Sequence, residues 1–231
     1  MPSDSLSIPV AVAGLGTVSA IHDEPENGGR ASAILLAHGA GLGIESPWMA
    51  RLAQGLVARG FSVLRFNYPY RERALRESAE RPPDRVEVLE HAHARALEAL
   101  RARSPGRRIL LAGKSLGGRI ATHLAAKDFA CAGLVLYGYP LHPKRPHQLR
   151  REHFGAIAQP ALFLQGTRDD LCDLDLLRES LRSYGGRARL SVIEGADHSF
   201  RVPKKIGLTE EQVIEELGER TASWEAEVFP A

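Results

Sequence analysis

Three short segments of the chain hold side chains that together could carry out nucleophilic catalysis. Ser115 is the centre of a G-x-S-x-G sequence, Asp169 and Asp170 follow a glycine in GTRDD, and His198 lies in GADHSF. A serine hydroxyl is a weak nucleophile by itself, because a base must accept its proton and a carboxylate must orient that base. The segments supply one residue of each kind, with either aspartate available as the carboxylate.

The serine segment has the pattern of a nucleophile elbow. Residues 109–112 are apolar, as in a strand buried on both faces, and residues 116–126 place apolar side chains at helical spacing. A G-x-S-x-G turn between a strand and a helix strains the serine backbone and exposes its hydroxyl above the sheet. The flanking glycines let helix and strand approach without Cβ clashes. The alternative interpretation is an ordinary glycine-rich turn.

Strand and helix patterns alternate along the rest of the chain. Apolar runs predict strands, and helical spacing predicts helices. The predicted strands are 33–37, 61–68, 109–112, 132–137, 161–164 and 190–193, and the helices lie near 46–60, 83–103, 116–126, 174–181 and 209–228. This alternation predicts an α/β fold with a mostly parallel central sheet and helices on both faces. The aspartates and His198 would then follow later strands.

Other segments predict the borders of the fold. Residues 1–30 contain two apolar pieces, 10–13 and 18–21, separated by glycines, which predict a hairpin at the sheet edge. The charged segment 70–83 is expected to be an exposed crossover, and 141–159 a polar excursion. No repeat or low-complexity linker divides residues 1–231, so a single domain is expected.

Composition narrows the classes of function. A chain of 231 residues with a net charge of +2 and no long run of one sign does not indicate nucleic-acid binding, so a small-molecule partner is expected. The two cysteines, Cys131 and Cys172, have no metal-like spacing and are too few for a disulfide framework. No stretch has the pattern of a signal peptide or the length of a membrane span. We therefore expect a cytoplasmic protein with no membrane partner.

The order Ser115, Asp169, His198 and the three motifs around these residues resemble the α/β-hydrolase superfamily. Within it the chain is similar to the small dienelactone-hydrolase-like group of bacterial hydrolases, from about residue 33 onward. The resemblance implies that Ser115 is the nucleophile and His198 the base. It favours Asp169 over Asp170, because the family places its acid three residues after the glycine, and Asp170 is then free to cap the next helix.

The resemblance also implies an oxyanion hole formed by two backbone amides. One is that of Leu116, after the nucleophile, and the other is that of Ala40 in the HGAG segment. Two features depart from relatives. Dienelactone hydrolases proper have a cysteine where this chain has Ser115, and the stretch between residues 137 and 161 is too short for a helical lid. An α/β-hydrolase fold without a lid domain and with an open site is expected.

Several further residues are candidates for substrate binding. His38 and Gly39 begin a glycine-rich loop where backbone can approach a ligand, although His38 could serve only to shape that loop. Aromatic residues near predicted strand ends could line an acyl pocket or belong to the core. These aromatic residues are Trp48, Tyr68, Tyr70, Tyr139 and Phe200. The histidine spacing does not indicate a metal site.

Together these observations predict a serine hydrolase that acts on a small ester or thioester through an acyl-enzyme intermediate. No metal or organic cofactor is expected. The alternative is a non-catalytic interaction module with a hydrolase fold, since a fold alone does not guarantee activity. The sequence does not determine the substrate or the oligomeric state.

Overall fold

The strands that the sequence predicts lie in one continuous sheet. The computed structural model describes residues 3–12, 14–26, 29–144 and 148–230. In this part of the chain the strands are β1 (Ser3–Val12), β2 (Leu15–Asp23), β3 (Ser32–Ala37), β4 (Ser62–Phe66), β5 (Arg108–Lys114), β6 (Gly133–Tyr137), β7 (Ala161–Gly166) and β8 (Ala188–Ile193). Their spatial order is β1-β2-β4-β3-β5-β6-β7-β8. Strands β3 to β8 run parallel, and β2 is antiparallel to both of its neighbours.

The predicted hairpin lies at the sheet edge, with strands longer than the apolar pieces that indicated it. Residues of β1 pair with β2 from Ser3 opposite Asp23 to Val12 opposite Leu15. The predicted piece 10–13 ends at Ala13, which lies outside the described residues. Alternate side chains of these strands are exposed and many are polar. A search for continuous apolar runs therefore found only part of each strand.

Six helices are described: α1 (Pro47–Ala58), α2 (Pro69–Glu77), α3 (Val86–Arg103), α4 (Leu116–Ala126), α5 (Leu174–Leu181) and α6 (Glu210–Val228). Helix α6 begins with the predicted capping box, because Thr209 accepts from the amide of Gln212 and the Gln212 side chain bonds the amide of Thr209. Asp173 caps α5 through the amides of Asp175 and Leu176. The helix cap suggested for Asp170 is therefore wrong.

The helices cover both faces of the sheet, and the strands divide their side chains between two cores. One core joins α1 and α6 to β-strand residues such as Ile34 and Leu110. The other joins α3, α4 and α5 to the intervening positions, such as Leu35 and Leu111. Successive residues of a strand point to opposite faces, so a strand with helices on both sides is apolar throughout. This is why β3 and β5 were visible in the sequence as continuous apolar runs.

Segment 70–83 differs from the prediction of an exposed crossover. Pro69 is the first residue of α2, where its missing N–H costs no hydrogen bond. Tyr70 and Glu72 of this helix are buried, and Glu72 accepts from the backbone amide of Ser19 and the side-chain amide of Asn67. The high charge of the segment concealed a helix whose first turn is anchored in the core.

In the excursion after β6, the described residues, 141–144 and 148–159, form no lid. Residues 148–159 contain a single 3₁₀ turn, Phe154–Ala156, and Phe154 is buried. Among the described helices, none has both the length and the apolar character that a membrane span requires.

Candidate active site

The turn after β5 is the sharp elbow that its glycines indicate. Ser115 has φ 50° and ψ −112°, a strained conformation for a residue with a Cβ atom. A Cβ at Gly117 would lie 2.4 Å from the carbonyl oxygen of Ala37, and a Cβ at Gly113 would lie 2.3 Å from the carbonyl carbon of Gly117. Only glycine fits at these two positions, because α4 begins in direct contact with the backbone of β3 and β5. The amide of Ser115 donates to the carbonyl of Tyr137 on β6, at 3.0 Å.

Ser115, His198 and Asp169 form a connected hydrogen-bond chain. His198 Nε2 lies 2.9 Å from Ser115 Oγ, and His198 Nδ1 lies 2.9 and 2.8 Å from the two carboxylate oxygens of Asp169. An ionised carboxylate only accepts, so the hydrogen bond assigns the imidazole proton to Nδ1 and leaves Nε2 to accept from the serine hydroxyl. The Asp169 side chain is 1% exposed, which shields this pairing from water.

Asp169 is itself held in a fixed orientation. The Gln165 side chain donates to one carboxylate oxygen at 2.5 Å, and the amide of Leu171 donates to the other at 2.8 Å. Asp170 has a different environment. Its side chain is 57% exposed and forms an ion pair with Lys144, which is also exposed. Of the two aspartates after β7, the structure brings only Asp169 to the histidine.

The segment that carries His198 approaches the end of β7 closely. A Cβ at Gly166 would lie 2.2 Å from the carbonyl oxygen of Ala196, so the strand end and the loop are in backbone contact. This contact explains the glycine in the GTRDD motif.

The loop after β3, residues 38–43, which we call the oxyanion loop, faces Ser115 across the elbow. Ala40 and Leu116 are the two residues whose amides were expected to form an oxyanion hole, and Leu116 is the first residue of α4. The first amides of a helix have no acceptor within it, so they are available to a ligand. A Cβ at Gly39 would lie 3.6 Å from the Ser115 Cβ, which shows how near this loop comes to the serine.

His38 fixes the orientation of the oxyanion loop. Its Nδ1 donates to the carbonyl of Gly39 at 2.8 Å, and its Nε2 accepts from the amide of Tyr68 at 3.0 Å. Burial lowers the pKa of His38 to about 4, so the imidazole stays neutral and keeps this tautomer. The Gly39 carbonyl and the Ala40 N–H belong to the same planar peptide unit. A bond that fixes the carbonyl therefore also fixes the direction of the amide.

A cavity of about 470 Å³ opens in front of the serine. Its lining combines apolar side chains, backbone of the oxyanion loop and a charged rim. These residues are Gly39, Ala40, Gly41, Leu42, Trp48, Lys114, Ser115, Leu171, His198, Ser199, Arg201 and Glu210. A larger, more open groove of about 800 Å³ is lined by residues such as Arg151 and Arg182 and contains none of the predicted site residues.

Five of the residues suggested for substrate binding do not line this cavity. They are each at most 1% exposed, and they are His38, Tyr68, Tyr70, Tyr139 and Phe200. The Tyr70 hydroxyl donates toward the carbonyls of the oxyanion loop, and Tyr139 packs in the core with its hydroxyl bonded to the carbonyl of Arg150. Their position near strand ends correctly predicted that these rings lie at the edge of the sheet that carries the site. It did not predict whether each ring points into the cavity or into the core. Of the suggested set, Gly39 and Trp48 line the cavity.

Sequence reasoning missed Lys114, the residue before the nucleophile. Lys114 is 4% exposed, and its ammonium group lies 2.5 Å from the backbone oxygen of His198. It also lies over the rings of Trp48 and Phe200. The available signal was a lysine at the end of an otherwise apolar strand, since lysine is rarely buried.

No group of three or more His, Cys, Asp or Glu side chains within the described residues is arranged to hold a metal ion. Both cysteines are free thiols.

Comparison with known proteins identifies the family and the fold. Residues 30–226 match the family described as "Alpha/beta hydrolase domain". Similar solved structures include an alpha-beta serine hydrolase homologue from Coxiella burnetii (18% identity, 96% of this chain and 97% of that chain, TM-score 0.74). A dienelactone hydrolase from Anabaena variabilis is also similar (19% identity, 98% and 99% covered, TM-score 0.73). So is a serine hydrolase without lid from Xanthomonas campestris (18% identity, 100% and 98% covered, TM-score 0.72).

At these identities the solved structures show likeness of fold, whereas the family match rests on the sequence over most of the chain. The lidless α/β architecture and the family match together confirm the resemblance that the three motifs indicated. The chain belongs to the alpha/beta-hydrolase family.

Proposed function

We propose that this protein is a serine hydrolase that cleaves a small ester or thioester through an acyl-enzyme intermediate. The observation that carries the proposal is the hydrogen-bond chain from Ser115 Oγ through His198 to Asp169, with the serine at the cavity. Membership of a hydrolase family supports hydrolytic activity in general, and two similar solved structures are those of an esterase domain and a dienelactone hydrolase. The choice of ester or thioester is part of the proposal.

In the first half of the reaction Ser115 Oγ attacks the carbonyl carbon of the substrate. The hydroxyl proton passes to His198 Nε2, which lies 2.9 Å away, and the carbonyl oxygen becomes an oxyanion. The amides of Ala40 and Leu116 donate to that oxyanion, and each such donor contributes about 10²–10³ in rate. Collapse of the intermediate breaks the bond to the alcohol or thiol, which leaves with the proton from His198.

In the second half, water replaces the leaving group. His198 accepts a proton from the water, which attacks the acyl carbon, and the proton then returns to Ser115 Oγ as the acid departs. Asp169 holds the imidazole in the required tautomer and stabilises its charged form in both halves. Each half begins from the neutral imidazole, whose Nε2 accepts the proton.

Labelling with a fluorophosphonate probe tests the proposal. The folded protein should be modified stoichiometrically at Ser115, and Ser115→Ala should lose both labelling and about 10⁶ in kcat. A panel of p-nitrophenyl esters and acyl-CoA thioesters would then identify the substrate class. Absence of labelling in folded protein would favour the non-catalytic interaction module, and hydrolysis by purified Ser115→Ala would refute the assignment of the nucleophile.

A further inference from the structure

Lys114 is a buried cation that the mechanism above does not use. Its ammonium group donates to the backbone oxygen of His198 at 2.5 Å and lies 6.0 and 5.4 Å from the ring centres of Trp48 and Phe200. Among the described residues no carboxylate lies within ion-pair distance of it. Burial of an ammonium group costs free energy that this one hydrogen bond and the two rings offset only in part. A buried methionine or leucine would stabilise the fold at less cost, so the charge calls for a functional explanation.

The segment that carries His198 is a tight turn fixed from within by Asp197. One carboxylate oxygen of Asp197 accepts from the amides of Ser199 and Arg201, at 2.8 and 2.9 Å. Phe200 has φ 62°, a left-handed conformation that a residue with a side chain rarely adopts. These bonds give the turn its shape. They do not attach it to the strand that carries the serine.

The bond from Lys114 makes that attachment. Lys114 ends β5, and Ser115 is the next residue in the same rigid elbow. One residue of the elbow therefore bonds the imidazole of His198 and the residue before it bonds the backbone of His198. A Cβ at Gly138 would lie 3.0 Å from the ammonium nitrogen, so the neighbouring strand end leaves the lysine little room to move.

We propose that Lys114 is a positioning residue, whose ammonium group anchors the His198 carbonyl to the nucleophile elbow and so keeps the imidazole in register with Ser115 Oγ. This inference rests on the proposed function. A displacement of about 1 Å between reacting groups can cost about 10² in rate, which is the scale of effect the anchor would prevent.

The charge of Lys114 gives the anchor a pH dependence. Burial lowers the pKa of Lys114 to about 8, and the carboxylates of Asp169 and Asp197 act in the opposite direction. The other ionisable groups around it are His198, which it contacts, and Arg201 and Glu210, which line the same cavity. Above about pH 8 the ammonium becomes an amine. A neutral amine is a weaker donor to the carbonyl, so kcat should decline on the alkaline side.

The test compares Lys114→Met with the wild-type protein. Methionine retains an unbranched apolar chain but cannot donate to the His198 carbonyl. We expect kcat for a p-nitrophenyl ester to fall about 10- to 100-fold with KM changed less than about threefold, and the alkaline decline to disappear. Lys127→Met is the matched control, because Lys127 is 58% exposed on the outer surface and pairs with Glu90. This variant should keep the kcat and pH profile of the wild type.

Three results would overturn the inference. They are a Lys114→Met variant with kcat within about twofold of the wild type, a rise in KM at unchanged kcat, or a wild-type kcat that stays level from pH 8 to 10. The last measurement needs no variant and therefore decides the matter even if Lys114→Met does not fold. Fluorophosphonate labelling separates the two proposals. An unlabelled wild-type protein would overturn the proposed function itself, whereas a labelled protein that tolerates Lys114→Met would overturn this inference alone.

Discussion

Replacement of Asp169 by asparagine should disable the enzyme with little change to its fold. The carboxylate accepts three hydrogen bonds in the structure, from His198 Nδ1, the Gln165 side chain and the amide of Leu171. An asparagine has the same shape, but one of its oxygens becomes an NH₂ group that can only donate. As they are placed in the structure, Gln165 and Leu171 both donate, so the amide oxygen can satisfy only one of them, and the NH₂ group faces a donor unless the Gln165 amide rotates to present its oxygen.

The cost to catalysis follows from the tautomer. If the NH₂ group points at His198, then Nδ1 must accept and Nε2 must carry the proton, which leaves no base for Ser115 Oγ. Loss of the correct tautomer should lower kcat by about 10³–10⁴, equivalent to about 4–5.5 kcal/mol of transition-state stabilisation. The effect should be smaller than that of Ser115→Ala, since a fraction of molecules can still adopt the productive arrangement.

Asp170→Asn is the matched control, since it makes the same chemical change one residue away. Asp170 is 57% exposed and pairs with an exposed lysine, so its loss should change kcat less than about twofold. Both variants would be assayed with a p-nitrophenyl ester, and urea denaturation would check that each is folded. A folded Asp169→Asn with kcat near the wild-type value, or a large loss in Asp170→Asn, would refute the assignment of the acid.

Three further predictions concern the framework of the site. Gly117→Ala places a Cβ 2.4 Å from the backbone of β3 and should destabilise the protein by about 3 kcal/mol or more in urea denaturation. Gly16→Ala is the control and should not destabilise the protein, because a Cβ at Gly16 would have no atom within 4 Å. Tyr70→Phe removes a hydroxyl that donates to the oxyanion loop. It should lower kcat by about 2- to 10-fold, corresponding to about 0.5–1.5 kcal/mol, with KM unchanged. An unaltered kcat would mean that the loop does not need this hydrogen bond. Burial lowers the pKa of His93 to about 3, so this histidine takes up a proton near pH 6.5 in the unfolded chain but not in the folded one. The contribution of His93 to stability should therefore fall by about 1.4 kcal/mol per pH unit between about pH 6.5 and 3, in addition to that of His38. Urea denaturation at pH 7 and 5 measures this loss, and His93→Gln should reduce it.

The fold was predictable because its strands are buried on both faces. Helices on either side of a parallel sheet favour apolar residues on both faces of β3, β5 and β7, and the resulting apolar runs in their central positions are visible without any contact information. Where polar residues dominate, the same reasoning failed. Helix α2 looked like an exposed loop because most of its residues are charged, while its stability comes from Tyr70 and Glu72, which contact distant parts of the chain.

The sequence by itself determined the local geometry that a turn demands. The glycines around Ser115 and the glycine before the two aspartates were readable because close backbone approach excludes any Cβ, whatever lies nearby. The capping box of α6 was readable for the same reason, since its two hydrogen bonds join residues three apart. Chain order and motif spacing also indicated which residues meet.

Only the tertiary structure decided the relations between distant segments. The choice of Asp169 over Asp170 depends on which carboxylate faces His198, which lies 29 residues further along the chain. The two aspartates are adjacent in sequence, but their side chains point to different sides of the backbone, and only that of Asp169 reaches the histidine. The roles of His38 and Tyr70 in holding the oxyanion loop, rather than a substrate, follow from contacts with backbone groups that no side-chain pattern specifies. Lys114 could be assigned only once its partner, a carbonyl 84 residues away, was known. A backbone acceptor leaves no mark on the sequence, because every residue has one.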